Sequence, residues 1–262
     1  LHSYANCCTN SILEEYCSSI LVSRDFWGVF QLDGPFSTAI GLIMAADAAL
    51  MQIIGLSLRV TLTAVLVACA IGLPLGAALA LARFPGRGAV IVVFNALMGL
   101  PPVVAGLVVY LMLSRSGPLG DLALLFTPEA MILAQTVLIL PIVVSLTRSV
   151  VEDIWAEYRE QLQSLGASRM RAVPTLLWDG RVSLLTGVLA GFGRASAEVG
   201  AVLIVGGNIA GHTRTMTTAI TLETSRGNLG LAVALGIILL ALTLTLNAVA
   251  WGAGQWARGR LG

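Results

Sequence analysis

The chain has 262 residues, of which 57% are hydrophobic and only 11% are charged, and its formal net charge is +1. Soluble domains carry about 25% charged residues, so this composition excludes a soluble globular protein. The sequence has no lysine, which excludes a P-loop GK[ST] motif, a kinase-type strand lysine and a Schiff base. His2 and His212 are its only histidines, which excludes an HExxH zinc site, and its cysteines form no CxxC pair. We therefore expect no enzyme, and assign no catalytic, cofactor-binding or metal residue.

The first part of the chain has neither the pattern of a signal peptide nor that of a membrane span. Acidic and basic residues interrupt residues 1–33, and we treat them as an N-terminal arm of uncertain origin. Residues 34–58 are apolar but contain Asp47 and Gln52. We interpret residues 34–58 as an interfacial helix, and a weak first span, which would make six spans in all, is the alternative.

Five further segments are apolar and close to the roughly 20 residues that a helix needs to cross a bilayer. They are residues 60–82, 88–114, 130–147, 182–206 and 227–257. Because apolar and polar residues do not alternate in them, they indicate helices and not barrel strands. The sequence predicts an all-α integral membrane protein with a five-helix core, a transmembrane domain over residues 59–257 and a tail over residues 258–262.

Two pairs of glycines in these segments have a spacing that lets helices approach closely. Gly72 and Gly76 are four residues apart, and so are Gly187 and Gly191. Small residues at this spacing are typical of helix contacts in membranes. We predict a close helix contact at each pair.

The arginines indicate which side of the membrane is cytoplasmic. Arg83 and Arg87 lie between the first two predicted spans, further arginines flank or occupy residues 152–181, and Arg258 and Arg260 follow the last span. In a five-span protein these places share one side. By the positive-inside rule, residues 152–181 and the C-terminal tail are cytoplasmic.

Residues 152–181 form the longest charged stretch between two predicted spans. Apolar residues recur at helical spacing before Gly166, namely Ile154, Tyr158, Leu162 and Leu165. Gly166 breaks this pattern, and a second short helix is predicted to start at Ala167 and Ser168. A solvated connector is one interpretation. The length and the apolar stripes favour a surface that docks another protein.

The sequence EQLQSLGASRMRAV, residues 160–173, resembles the EAA loop of permease subunits of ATP-binding-cassette importers. In that loop a Glu stands six residues before a Gly, and Glu160 and Gly166 match this spacing, whereas Gln161 and Leu162 replace the usual Ala-Ala. The resemblance implies a type I importer transmembrane domain whose short coupling helix rests on a cytoplasmic ATPase subunit, which binds ATP and Mg. The implied coupling residues are Glu160, Leu165, Gly166, Ala167, Ser168 and Arg169.

Residues 191–227, GFGRASAEVGAVLIVGGNIAGHTRTMTTAITLETSRG, resemble the corresponding stretch of tungstate permease subunits, and more distantly of molybdate and sulfate ones. The resemblance covers roughly residues 53–251 and implies a homodimer in the cell membrane. It also implies two partners, a cytoplasmic ABC ATPase dimer and an extracytoplasmic oxyanion-binding protein. Tungstate is the expected cargo, with molybdate or sulfate as the alternative.

Two charged residues lie inside a predicted span. Arg194 and Glu198 are four residues apart, so on a continuous helix they would share a face and could pair. Ionised groups in a span face a bundle interior or a wet cavity. They either line or gate the translocation path, or form a structural pair, and the sequence leaves both interpretations open.

Residues 208–218 follow this span on the predicted outer side. Asn208, His212, Thr213 and Arg214 offer amide, imidazole, hydroxyl and guanidinium donors, which are the groups that hold tetrahedral oxyanions. An oxyanion contact and an ordinary external turn are both open.

A self-contained secondary transporter or channel is the alternative of a different class. It would require inverted repeats and broken helices with coupling-ion ligands near the midplane, and the sequence shows no convincing internal repeat. No nucleic-acid-binding signature is present, so the expected surroundings are lipid and protein partners.

Overall fold

The computed structural model describes Ile40, Gly41, Met44, residues 48–166 and residues 168–259, with side chains described as far as residue 249. All regular structure in these residues is helical. The predicted N-terminal arm, the coupling residue Ala167 and most of the predicted tail lie outside the described residues. The all-α prediction is confirmed for the part of the chain that the structure describes.

The helices follow one another with short connections. They are α1 (Ala48–Leu81), α2 (Arg87–Met98), α3 (Pro102–Leu113), α4 (Pro128–Ser164), α5 (Val173–Asp179), α6 (Arg181–Ser196), α7 (Gly200–Gly206), α8 (Met216–Ser225) and α9 (Leu229–Gly259). A 3₁₀ turn, Gly120–Leu122, lies between α3 and α4.

Helix α1 is longer than the predicted first span. It runs for 34 residues without a break, or about 51 Å, whereas the hydrocarbon core is about 30 Å thick. The boundary that we predicted between residues 58 and 59 therefore lies inside a continuous helix. Gln52 and Arg59 are both exposed on α1, so these polar side chains do not have to be buried and the helix does not have to end there.

Helix α4 joins a predicted span to the first part of the predicted loop. It starts at Pro128, where the Thr127 hydroxyl accepts a hydrogen bond from the Ala130 amide at 3.4 Å, and it ends at Ser164. Its 37 residues make about 55 Å of helix. Residues 152–164 are thus not a loop but a helical extension of the span.

Two of the predicted spans are bent pairs of helices. Helices α2 and α3 meet at 105°, and α6 and α7 meet at 58°. Pro101 and Pro102 explain the first bend, because neither donates a backbone hydrogen bond and Pro102 opens α3. In the described residues, three helices are long and apolar enough to cross a membrane, and five spans result if each bent pair counts as one.

Helix α4 is the centre of the bundle, with α1 and α6 packed against it. A Cβ added to Gly76 would lie 2.6 Å from the Val144 carbonyl oxygen, and one added to Gly72 would lie 2.8 Å from Val143 Cγ1. At Gly191 the nearest atom would be Ile139 Cγ2, at 2.8 Å. The close contacts predicted from the glycine spacing are confirmed, because no larger residue fits without moving its neighbour.

Candidate functional site

The end of α4, the turn that follows it and α5 form one unit, residues 152–179. We call this unit the arm; it is not the N-terminal arm of residues 1–33. Its inner side is a packed apolar cluster that includes Trp155, Leu176 and Leu81 at the end of α1. Ile154 and Leu162 pack against this cluster together with Val173 and Leu177 of α5. Two of the four residues in the predicted apolar stripe before Gly166, Ile154 and Leu162, therefore hold the arm together and are not available for docking.

Three large apolar side chains are exposed among the polar residues on the outer side of the arm. Leu165 is 82% exposed, Trp178 is 68% exposed and Met170 is 54% exposed. Leu165 and Met170 flank the end of α4, whereas Trp178 lies in α5. We call residues 165–170 the tip of the arm.

Gly166 follows the C-terminal end of α4 in the arm. Its φ of +76° is left-handed, and its amide donates to the Gln163 carbonyl at 3.0 Å, which satisfies one free acceptor at the helix end. A Cβ at Gly166 would meet nothing within 4 Å, so the demand for glycine comes from the backbone conformation alone. The predicted break at Gly166 is confirmed, but Ser168 is not helical and the next described helix starts at Val173.

The other predicted coupling residues surround this break. Glu160 and Ser168 are exposed, whereas Arg169 is half-buried with its guanidinium carbon 5.8 Å from the centre of the Trp155 ring. This cation–π contact fixes one side of the tip to the α4 rod.

An ionic network that the sequence did not predict joins the arm to the rest of the bundle. Glu152 accepts from both Arg87 and Arg148. Arg87 also donates to the Leu79 and Ala80 carbonyls, at 2.8 and 3.0 Å, which lack partners at the end of α1. The sequence could have predicted the pair of Arg148 with Glu152, because these residues are one helical turn apart. It could not have predicted the pair of Arg87 with Glu152, because Arg87 is distant in sequence.

Arg194 and Glu198 form no ion pair with each other, although their spacing in the sequence allowed one. Helix α6 ends at Ser196, between the two residues, so the helical spacing that would align them is lost. Glu198 is 6% exposed, and its Oε1 accepts from the Ala201 amide at 3.1 Å at the start of α7. The Arg194 guanidinium instead donates to the Leu100 carbonyl at 3.5 Å, in the break between α2 and α3.

The two broken helix pairs therefore meet at this point. A Cβ on Gly106 of α3 would lie 2.7 Å from the Ala201 Cα of α7, which shows how closely these helices pack. Arg194 connects the end of α6 to the α2–α3 break, and Glu198 caps α7. A change of angle at either break would disturb both side chains.

Residues 207–214 form a tight turn at the end of the bundle opposite the arm. Gly207, Asn208 and Gly211 have φ between 52° and 74°, and the amides of His212, Thr213 and Arg214 all donate to the Ile209 carbonyl. Thr213 is fully buried, and its hydroxyl donates to the Gly206 carbonyl at 2.6 Å. Thr213 thus holds the turn and has no free donor, whereas His212 is exposed.

A cavity of about 450 Å³ lies between this turn and the first half of α1. Arg214 and His212 line it on one side, and Gln52 and Arg59 line it on the other. Arg214 and His212 were predicted from the sequence as residues of an outer site, whereas Gln52 and Arg59 were not, because both lie more than 150 residues away in the chain. Only the exposed polar stripe on an otherwise apolar helix could have indicated Arg59.

Curated relatives establish the family of the chain. It is 46% identical over 205 residues to a "Probable anion ABC transporter permease protein" of Haloferax volcanii, an alignment that covers 76% of this chain and 88% of the relative. The chain belongs to the family of ABC transporter permeases. It is also 40% identical over 214 residues to the tungstate uptake system permease protein TupB of Peptoclostridium acidaminophilum, with 82% and 94% covered.

A molybdenum transport system permease, ModB of Escherichia coli, matches at lower identity, 29% over 203 residues, with 74% of this chain and 88% of the relative covered. No protein-family model matches the chain. These relatives are transport permeases and not enzymes, which fits a multi-pass membrane protein with the long apolar helices described above.

Proposed function

We propose that the chain is the permease subunit of an ABC importer that carries tungstate across the cell membrane. The chain is 40% identical to a permease named for tungstate uptake, over 82% of the chain and 94% of that relative. This similarity is the observation that carries the proposal. The rod-like arm with its exposed tip supports the proposal from a second direction, because an importer permease must contact a separate source of energy.

The partner at the arm is a cytoplasmic ABC ATPase subunit in this proposal. The chain has no lysine with which to build a P-loop, so ATP and Mg would be bound by that partner. Leu165 and Met170 present apolar area at the tip, and desolvated apolar anchors carry most of the affinity of an interface. Contact with the tip would push on α4, whose helix runs from the tip through the whole bundle.

The arm and the C-terminus are cytoplasmic in this proposal, and the turn at residues 207–214 faces outward. The arginine distribution supports that orientation. An extracytoplasmic binding protein would deliver the oxyanion at this outer end, close to Asn208, His212 and Arg214. Two copies of the chain would enclose the pathway between them in this proposal, as the resemblance to importer permeases implies.

The moving part is the meeting point of the two broken helix pairs. Arg194 and Glu198 hold the breaks in one arrangement through Leu100 and Ala201. In the alternating-access cycle that we propose, closure of the ATPase dimer tilts α4 and changes the angles at these breaks. The two charged residues then act as a gate and not as an anion-binding pair.

The experiment is reconstitution of the tagged permease with its ATPase and binding protein in proteoliposomes. We expect co-purification of the ATPase in mild detergent and ATP-dependent uptake, with hydrolysis stimulated by tungstate-loaded binding protein. Stimulation by molybdate or sulfate and not by tungstate would contradict the proposed cargo but support an ABC importer. Uptake by the permease alone, driven by an ion gradient, would contradict the proposal and establish a secondary transporter.

A further inference from the structure

We infer that the cavity between α1 and the turn at residues 207–214 is a binding site for a doubly charged tetrahedral oxyanion, held by Arg59 and Arg214. This inference rests on the proposed function and names the place where the permease receives its cargo. It adds α1 residues to the outer site, which the sequence had placed on the turn alone.

Charge is the first argument. Arg59 and Arg214 line the cavity with His212 and Gln52, and no carboxylate stands among its described lining residues. Neither arginine forms an ion pair with the described acids, although Glu129 lies within electrostatic range of Arg59 and His212. Arg87 and Arg148, in contrast, both form ion pairs with Glu152. Two guanidinium groups that line one cavity without an ion pair to a described acid favour an anion.

An unsatisfied donor is the second argument. Arg214 Nε is buried and has no hydrogen-bond partner. A buried donor without a partner carries a desolvation cost, which a small rotation of the Arg214 side chain toward an anion in the cavity would remove. Guanidinium groups present donors in a fixed fork that matches two oxygens of an oxyanion. The free donor is thus on the group best suited to the proposed ligand.

The two walls are fixed relative to each other. The Ser57 hydroxyl accepts a hydrogen bond from the Met216 amide at 2.7 Å and donates to the Ile53 carbonyl at 2.7 Å. Ser57 lies two residues before Arg59, and Met216 lies two residues after Arg214. The backbones that carry the two arginines are therefore tied together beside the cavity, which is the preorganisation that a charged ligand site needs.

The shape of the α1 wall is the third argument. Gln52, Gly55 and Arg59 recur at helical spacing and line the cavity along one stripe of α1. A Cβ on Gly55 would meet nothing within 4 Å, so the missing side chain leaves open space. The cavity is many times larger than the about 30 Å³ that a water molecule takes in the liquid, and it has room for an oxyanion with part of its hydration shell.

The test uses the reconstituted complex with tungstate-loaded binding protein and four variants, Arg59→Gln, Arg214→Gln, Gly55→Phe and Arg115→Gln. Arg115 is exposed in the connection between α3 and α4, at the same end of the bundle but outside the cavity. We expect each cavity variant to lower the initial uptake rate about tenfold or more, since hydrogen bonds to charged groups are worth at least that factor. Arg115→Gln should match the wild type.

Each outcome decides one question. If the wild-type complex takes up none of tungstate, molybdate and sulfate, the proposed function fails and this inference falls with it. If it transports and Arg59→Gln equals Arg115→Gln, or Gly55→Phe equals the wild type, only this inference is overturned. A lipid phosphate has the same chemistry as the proposed ligand. Variants that lose bound phospholipid in native mass spectrometry but keep wild-type tungstate uptake would assign the cavity to lipid and overturn the inference.

Discussion

Two pairs of arginines at opposite ends of the bundle differ in their partners. At the arm end, Arg87 and Arg148 share the carboxylate of Glu152, and Arg87 also satisfies carbonyls at the end of α1. At the opposite end, Arg59 and Arg214 face a cavity without an ion pair to a described acid. In these two pairs, Arg87 and Arg148 hold helices in place, whereas Arg59 and Arg214 keep their charge for the ligand that we propose. We therefore compare a structural cluster at one end with a proposed binding site at the other.

The comparison predicts the largest loss of stability at the arm end. Glu152→Gln removes the carboxylate that forms ion pairs with Arg87 and Arg148 among the described residues, and both arginines are partly buried. Breaking a fully buried ion pair costs about 3–5 kcal/mol and a surface pair about 0–1, so we expect about 2 kcal/mol here. Thermal unfolding of the detergent-solubilised protein measures it. An unchanged midpoint would show that the network is not structural.

The next prediction concerns the end of the α4 rod. Gly166→Val forces a β-branched residue into left-handed backbone, which costs about 1–2 kcal/mol and should weaken the coupling of ATP hydrolysis to uptake. Gly166→Asn is the matched control, because asparagine tolerates this conformation and nothing lies within 4 Å of an added Cβ. Equal coupling in the two variants would rule out backbone conformation as the reason for glycine.

A smaller effect is expected at the tip. Arg169→Gln removes the cation over Trp155 and should lower stability by about 0.5–1 kcal/mol while loosening the tip. Arg171→Gln is the control, since Arg171 is exposed and close in sequence. Hydrogen exchange of residues 165–172 should be faster in the first variant only. Similar exchange in both would show that the ring contact does not restrain the tip.

The smallest stability change is expected at the proposed binding site. Arg59 is exposed and forms no ion pair with a described residue, so Arg59→Gln should change the unfolding free energy by less than about 0.5 kcal/mol. The same thermal unfolding measurement as for Glu152→Gln gives a direct comparison. A loss as large as that of Glu152→Gln would mean that Arg59 is structural, and the contrast between the ends would disappear.

Local features of the sequence predicted local structure well. The break at Gly166 and the close contacts at Gly72, Gly76 and Gly191 follow from spacing and from the absence of a side chain. Helix length was harder. The helical spacing before Gly166 predicted a helix there, but it did not show that this helix and the preceding span form one helix from Pro128 to Ser164.

The breaks within helices and the contacts between distant segments could not be predicted from the sequence. Arg194 and Glu198 would pair on a continuous helix, but α6 ends at Ser196 and α7 begins at Gly200. Gly200 did not mark this break in the sequence, because other glycines, such as Gly191 and Gly193, lie inside α6. Arg59 and Arg214 come together through a hydrogen bond between Ser57 and Met216, which are distant in sequence. Helical periodicity describes neighbours within one helix, and it contains no information on which helices meet.

Helix α4 also has a mechanical consequence. An unbroken rod of 37 residues works as a lever, and α1 is locked to it where Gly72 and Gly76 admit the backbone and side chains of α4. A tilt of about 5° moves the far end of a rod of about 55 Å by about 5 Å, nearly the pitch of one helical turn. A tilt that leaves the packing near one end of α4 intact would therefore move its other end by about the length of one helical turn.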